Sequence, residues 1–163
     1  MEARGDIDRT RLYVTGLSMG GYGTWSLISR YPDLFAAAIP ICGGGDPFRL
    51  PANHPPVKFG IRNEFDPEGL KRAGDLPIWT FHGTNDESVP LMETELLVEI
   101  LKEAGSKDVT FTVFGGAGHS ETWDRAYESP ELWDWLFSQS RHSRPAAPDP
   151  CLTGRVSRLT RTA

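Results

Sequence analysis

The feature that most constrains the fold is a short turn that joins a predicted strand to a predicted helix. Residues 11–15 (RLYVT) are mostly β-branched or aromatic and predict a buried strand, and a helical stretch over residues 20–31 ends before Pro32. The intervening residues 16–20, GLSMG, match the pattern G-x-S-x-G. At such a sharp turn a serine hydroxyl stands clear of the backbone, and the glycines have no Cβ to clash. The position of the motif therefore predicts Ser18 as a nucleophile, against the alternative of an ordinary glycine-rich turn.

The helix after Ser18 adds a second chemical feature to this turn. The N-terminus of a helix offers free backbone N–H groups and the positive end of its dipole to a developing negative charge. The N–H of Met19 is the donor that this motif normally contributes. We therefore expect Met19 to supply one donor of an oxyanion hole.

The rest of the chain alternates between strand and helix patterns. The long, proline- and glycine-rich stretch over residues 46–76 is predicted to be an excursion from the fold. Further strands are predicted over residues 36–42, 77–82 and 109–114, and further helices over residues 90–104 and 130–139. This alternation predicts an α/β fold with a mostly parallel sheet, right-handed crossovers and flanking helices on both faces.

A serine nucleophile needs a histidine base, which in turn is oriented by a carboxylate. Asp86 follows the third predicted strand, and His119 follows the fourth. Because the carboxyl ends of parallel strands meet at one edge of the sheet, we expect both side chains to lie near Ser18. The spacing thus predicts a Ser18–His119–Asp86 catalytic triad.

Other residues compete for these roles. Asp46, after the second strand, is an alternative acid, and Asp86 would also suit a cap for the turn that follows it. The histidines that compete with His119 are His54, His82 and His142, of which His82 is expected to pack at a strand end. Trp123 and the aromatic residues of the 46–76 excursion either line a substrate pocket or simply pack; we take Trp123 as the substrate-binding candidate.

Residues 8–46, DRTRLYVTGLSMGGYGTWSLISRYPDLFAAAIPICGGGD, resemble the nucleophile region of α/β-hydrolase esterases. The resemblance continues through PIWTFHGTNDESVP (77–90) and GGAGHSETWD (115–124), and so covers most of residues 8–139. The most similar branches are the predicted-peptidase and polyhydroxybutyrate-depolymerase-like esterases, near the prolyl-oligopeptidase and feruloyl-esterase enzymes. In this superfamily the chain order is serine, acid, histidine, which is the order found here.

The resemblance implies a serine esterase that forms an acyl-enzyme on Ser18, with His119 as general base and then acid, and Asp86 orienting it. It implies a small-molecule ester substrate, with small acyl or hydroxycinnamoyl esters favoured over peptides, and no metal or organic cofactor. A serine peptidase of the prolyl-oligopeptidase type is the related alternative.

The family fold has eight strands with the nucleophile after the fifth, whereas here the first predicted strand precedes Ser18. The resemblance therefore implies the C-terminal half of an α/β-hydrolase fold, without the loop that supplies the second oxyanion donor. We expect a second copy or an N-terminal partner to complete the sheet. An impaired fragment, or a non-catalytic interaction module, is the competing interpretation.

Charge and composition exclude several other classes of protein. A net charge of −5 argues against nucleic-acid binding, and no apolar run is long enough to span a membrane. Cys42 and Cys151 are too few for a disulfide scaffold or a closed zinc site. Residues 1–140 are expected to form the catalytic domain, and residues 141–163, which carry five arginines and one aspartate, a disordered basic tail. Without an apolar signal-peptide core, the chain as encoded is expected in the cytoplasm, and secretion stays open for a longer parent.

Overall fold

The computed structural model describes residues 7–45 and 66–141. Its strands are β1 (Tyr13–Leu17), β2 (Ala37–Ile41), β3 (Ile78–Gly83) and β4 (Val109–Phe114). They form a four-stranded sheet in the order β1-β2-β3-β4, and every neighbouring pair is parallel. The predicted α/β class with a parallel sheet is therefore confirmed, and the carboxyl ends of all these strands lie along one edge.

Five helices accompany the strands within the described ranges: α1 (Met19–Arg30), α2 (Pro67–Arg72), α3 (Leu91–Glu103), α4 (His119–Tyr127) and α5 (Pro130–Ser138). One turn of 3-10 helix, Ala73–Asp75, follows α2. The apolar side chains of α1, α2 and α3 form one core cluster, whereas those of α4 and α5 belong to another. The helices therefore cover both faces of the sheet, as predicted.

The strands supply both cores by strict alternation. In β2, Ala38 packs in the cluster with α1, α2 and α3, while its neighbours Ala37 and Ile39 pack in the cluster with α4 and α5. All five residues of β2 are buried. A parallel strand that is covered on both faces reads as a continuous apolar run, and this explains the sequence of β2.

The sharp turn between β1 and α1 depends on glycine. A Cβ at Gly16 would lie 2.3 Å from the carbonyl oxygen of Gly20. Further along α1, a Cβ at Gly21 would lie 2.6 Å from the carbonyl oxygen of Ile41, at the end of β2. The start of α1 is therefore pressed against the ends of both β1 and β2, which fixes the position of the intervening Ser18.

The structure departs from the predicted elements in two places. Residues 67–75, predicted to belong to an excursion, form α2 and the 3-10 turn, with Leu70 buried in the core. Asp66 followed by Pro67 is a pattern typical of the start of a helix. The prediction of an excursion over this stretch did not take this pattern into account. The helix α4 was also unpredicted, because its sequence is polar and only Thr122 and Ala126 are buried.

Several predictions fall on residues outside the described ranges. They concern the alternative acid Asp46, the histidines His54 and His142, Cys151, most of the 46–76 excursion and the tail after residue 141. Among the helices of the described ranges, none has the length and apolar character needed to cross a bilayer.

Candidate active site

Ser18 stands alone between β1 and α1 in a backbone conformation that non-glycine residues rarely adopt. Its φ and ψ angles are 54° and −118°, and it is the N-cap residue of α1. Its backbone N–H donates to the carbonyl of Ile41 at 2.9 Å, and its own carbonyl accepts from Tyr22 at 3.1 Å. Because such strain costs on the order of 1–3 kcal/mol, it persists only where the surroundings impose it, and it concentrates at functional sites.

The N–H of Met19 belongs to the first turn of α1, where backbone donors have no partner within the helix. The Met19 side chain is 65% exposed, so this end of the helix is open to solvent. The structure thus leaves a helix N-terminus directly behind Ser18, as predicted.

His119 is the first residue of α4, and it meets Asp86 from the loop after β3. The His119 Nδ1 atom lies 2.5 Å from Asp86 Oδ2, and the Asp86 side chain is completely buried. The His119 side chain remains 15% exposed. With Nδ1 facing the carboxylate, the other ring nitrogen, Nε2, is left for a second partner.

Asp86 is held by hydrogen bonds on both of its oxygens. Oδ1 accepts from the backbone N–H groups of Ser88 at 2.9 Å and Val89 at 2.8 Å. Burial by itself would raise the pKa of Asp86, but hydrogen bonds from His119, His82 and these two N–H groups hold the pKa well below its usual range. Asp86 therefore caps the turn, as the alternative interpretation held, and also contacts His119.

Trp123 lies one turn after His119 on α4 and packs on the imidazole. The two ring centroids are 4.8 Å apart, with the planes 71° from parallel. Trp123 also packs against the core cluster of α4 and α5, and its Nε1 atom is buried with no hydrogen-bond partner. The structure thus places Trp123 on α4, against both His119 and the core cluster of α4 and α5.

The end of β2 lies between Ser18 and His119. Ile41 accepts the hydrogen bond from Ser18, and the next residue, Cys42, has its Sγ 3.9 Å from the carbonyl oxygen of His119. The hydrogen bonds among the described residues join His119 to Asp86 but do not include one from Ser18 to His119. Such a bond often tightens only when substrate is bound.

Three neighbouring side chains, those of Cys42, His82 and Asp86, carry atoms of the kind that bind metal ions. Atoms of Cys42, His82 and Asp86 lie within 4.8 Å of one another. However, both nitrogens of His82 and both oxygens of Asp86 already have protein partners. Burial, followed by the charge of Asp86, raises the pKa of Cys42 to about 12, so the thiol stays protonated. The donor atoms of His82 and Asp86 in this set are therefore already engaged within the protein.

Two residues beside Asp86 were missed by the sequence analysis. His82 was expected to pack at the strand end, and it does so fully buried, but its contact with Asp86 was not foreseen. Its position four residues before Asp86, at the end of the same strand, was the available signal. Cys42, which has a positive φ of 43°, carried no signal in the sequence.

This arrangement defines the class of protein. A parallel sheet with helices on both faces, and a serine on a strained strand-to-helix turn, is the architecture of the α/β hydrolases. A histidine and an aspartate follow later strands at the same sheet edge.

Comparisons with known proteins identify the family. The model of the dienelactone hydrolase family matches residues 1–131, and the chain belongs to this family. Poly(3-hydroxyalkanoate) depolymerase C of Paucimonas lemoignei is 30% identical to this chain, and the match covers 91% of this chain and 39% of that protein. This relative agrees with the resemblance to depolymerase-like esterases.

Solved structures support the same fold. The crystal structure of a thermostable esterase is 41% identical, with a TM-score of 0.65, and the match covers 83% of this chain and 32% of that chain. An acylaminoacyl peptidase in complex with a chloromethyl ketone is 22% identical, with a TM-score of 0.64 over 90% of this chain and 26% of that chain. This second likeness shows the fold alone. The chain spans less than half the length of the curated relatives that it matches.

Proposed function

We propose that this chain carries the catalytic residues of a serine hydrolase that cleaves carboxylic esters through an acyl-enzyme on Ser18. The single observation that carries the proposal is the 2.5 Å contact of His119 with buried Asp86 at the sheet edge where strained Ser18 immediately precedes α1. Membership of the dienelactone hydrolase family and the esterase and depolymerase names of the relatives support an ester substrate. Small acyl or hydroxycinnamoyl esters are the proposed substrate class.

The proposed mechanism follows from the hydrogen bond between His119 and Asp86, which leaves Nε2 of His119 available. Asp86 accepts the Nδ1 proton of His119, so the lone pair of Nε2 can take the proton of the Ser18 hydroxyl as the oxygen attacks the ester carbonyl. The tetrahedral intermediate collapses when His119 returns that proton to the departing alcohol. Water then attacks the acyl carbonyl as its proton passes to His119, and the acid leaves when His119 gives that proton to the Ser18 oxygen. The buried negative charge of Asp86 stabilises the imidazolium that forms in both steps.

Other residues support this chemistry in distinct ways. The N–H of Met19, at the positive end of α1, is the proposed donor to the oxyanion. Trp123 is proposed to border the substrate and to limit the rotation of the His119 ring, on which it packs. The second oxyanion donor is not assigned.

Labelling with a fluorophosphonate probe tests the nucleophile. We expect the probe to bind the full chain covalently, Ser18→Ala to abolish labelling, and the same variant to lose turnover of a p-nitrophenyl ester. Ser26→Ala is the matched control, because Ser26 lies on the same helix, α1, away from the turn. Labelling that persists in Ser18→Ala would refute the assignment.

A folded wild-type chain that is not labelled would favour the alternative, a non-catalytic module that retains these residues. Circular dichroism of the same preparation establishes whether the chain is folded. This measurement separates an inactive fold from an unfolded sample.

A further inference from the structure

A second histidine, His82, lies against the same carboxylate oxygen of Asp86 that His119 contacts. His82, the penultimate residue of β3, has a fully buried side chain. Its Nε2 atom lies 2.9 Å from the carbonyl oxygen of Val89 and 3.4 Å from Asp86 Oδ2. Its Nδ1 atom lies 2.8 Å from the hydroxyl of Thr94, on α3. Each ring nitrogen therefore has a partner, and the chemistry of those partners fixes where the protons must be.

The partners of Nε2 require a proton on this atom. The carbonyl oxygen of Val89 is an acceptor only, and the carboxylate of Asp86, whose pKa is low, is also an acceptor. An unprotonated Nε2 would place its lone pair against the lone pairs of both oxygens, which is unfavourable. Nε2 therefore carries a proton.

The partner of Nδ1 requires a second proton on the same ring. The Thr94 hydroxyl has one proton, and its oxygen lies 2.8 Å from the carbonyl oxygen of Gly43, which can only accept. Since the hydroxyl donates to Gly43, it can only accept from His82. Nδ1 therefore also carries a proton.

We propose that His82 is held as an imidazolium cation and acts as a positioning residue. It holds the carboxylate of Asp86 in place, and its positive charge offsets part of the negative charge that Asp86 presents to His119. Asp86 is the charge that compensates this cation, as a buried ion requires. The effect of His82 on the reaction rate rests on the proposed function, whereas its protonation state does not.

The other titratable groups around the ring do not replace Asp86 in this pairing. Cys42, after β2, keeps its proton because burial raises the pKa of its thiol to about 12. Glu93, the neighbour of Thr94 on α3, places its side chain against Gly44. The third group, His119, contacts Asp86 Oδ2, which is the same oxygen that faces His82.

The charge of His82 has a defined consequence for the proposed general base. A nearby cation disfavours the protonated form of His119, so removing it should favour that form. We expect His82→Gln to move the acid limb of the kcat/KM profile to higher pH, by about one unit. We also expect kcat/KM to fall about 10- to 100-fold, by analogy with the loss of partners that orient the ligands of metal sites.

The decisive measurement is nitrogen NMR of the histidine rings in the full wild-type chain at pH 7. We expect both ring nitrogens of His82 to be protonated, with His82→Gln identifying the signal. In Thr94→Val, where Nδ1 loses its acceptor, we expect one of them to be unprotonated. Thr80→Val is the matched control, since Thr80 is a buried threonine of β3 whose hydroxyl donates to the Pro40 carbonyl, away from this ring.

One unprotonated His82 nitrogen in the wild type at pH 7 would overturn the proposal, whatever the catalytic activity. A reduced rate in His82→Gln with an unmoved acid limb would also overturn it, because only a structural role would remain. If the wild type is not labelled at Ser18, the proposed function fails, while the NMR result still decides the state of His82.

Discussion

At the scale of single residues, the site depends on groups held in backbone conformations or surroundings that are unfavourable by themselves. Ser18 is held at a positive φ by the chain on either side of it, and Asp86 is buried as an anion. Both states are unfavourable in isolation, and both are offset by hydrogen bonds from neighbouring backbone groups. Local chemistry at this site is therefore set by the surrounding fold.

The lowered pKa of Asp86 makes a prediction about stability in acid. A carboxyl with a folded-state pKa below its unfolded value, near 4, contributes stability that is present above about pH 4. This contribution is lost as the pH falls from about 4 toward the lower folded-state pKa. We therefore expect the free energy of unfolding to fall less steeply with acid in Asp86→Asn than in the wild type.

Urea unfolding between about pH 2.5 and 7, a range that includes the unfolded-state pKa, measures the difference. Thr80→Val is the control, because it removes a buried hydrogen bond without changing any charge. It should lower stability by a similar amount at every pH. Equal acid slopes in Asp86→Asn and the wild type would contradict the prediction.

At the scale of elements, the contact between β1 and α1 sets the position of Ser18, the proposed nucleophile. A side chain at Gly16 would collide with the backbone of Gly20, and backbone atoms cannot move aside as a flexible side chain does. We expect Gly16→Ala to destabilise the protein by about 1–3 kcal/mol and to reduce labelling of Ser18. Chemical denaturation and probe labelling measure the two effects.

Gly23, on α1, provides a matched control. A Cβ at this position meets no atom within 4 Å. Alanine is a better helix former than glycine by about 1 kcal/mol. Gly23→Ala should therefore stabilise the protein, and an equal loss in both variants would show that the close approach at Gly16 is unimportant.

Elements with a strong local pattern were predictable from the sequence. The apolar stripe of α3 and the β-branched runs of β1 and β4 gave elements close to the observed ones. The helix α4 was not predictable, because its few buried residues follow a glycine-rich segment. The contact of Asp86 with His119 was inferred from strand order, whereas that of Asp86 with His82 depends on side-chain packing that no periodicity encodes.

At the scale of the whole molecule, both outer strands of the described sheet pair on one side only. Within the described ranges, β1 pairs with β2 and β4 pairs with β3. An unpaired strand edge presents backbone N–H and C=O groups to other chains. We propose that the isolated chain associates through β1, the strand that leads to Ser18.

Light scattering tests the association. We expect a mass above the 18.1 kDa of one chain, and Val113→Lys, on the exposed side of β4, should leave that mass unchanged. A monodisperse monomer would contradict the proposal. Dissociation by Val113→Lys would instead assign the contact to β4.

The order of the strands also has a consequence for synthesis on the ribosome. Because sequence order equals spatial order in this sheet, each emerging strand can pair with the one made just before it. The residues of the proposed triad appear in the order Ser18, Asp86, His119, and the last one begins a helix that follows β4, the last strand of the described ranges. A nascent chain would thus hold its proposed nucleophile and acid early, yet remain without the proposed base until the four described strands had been made.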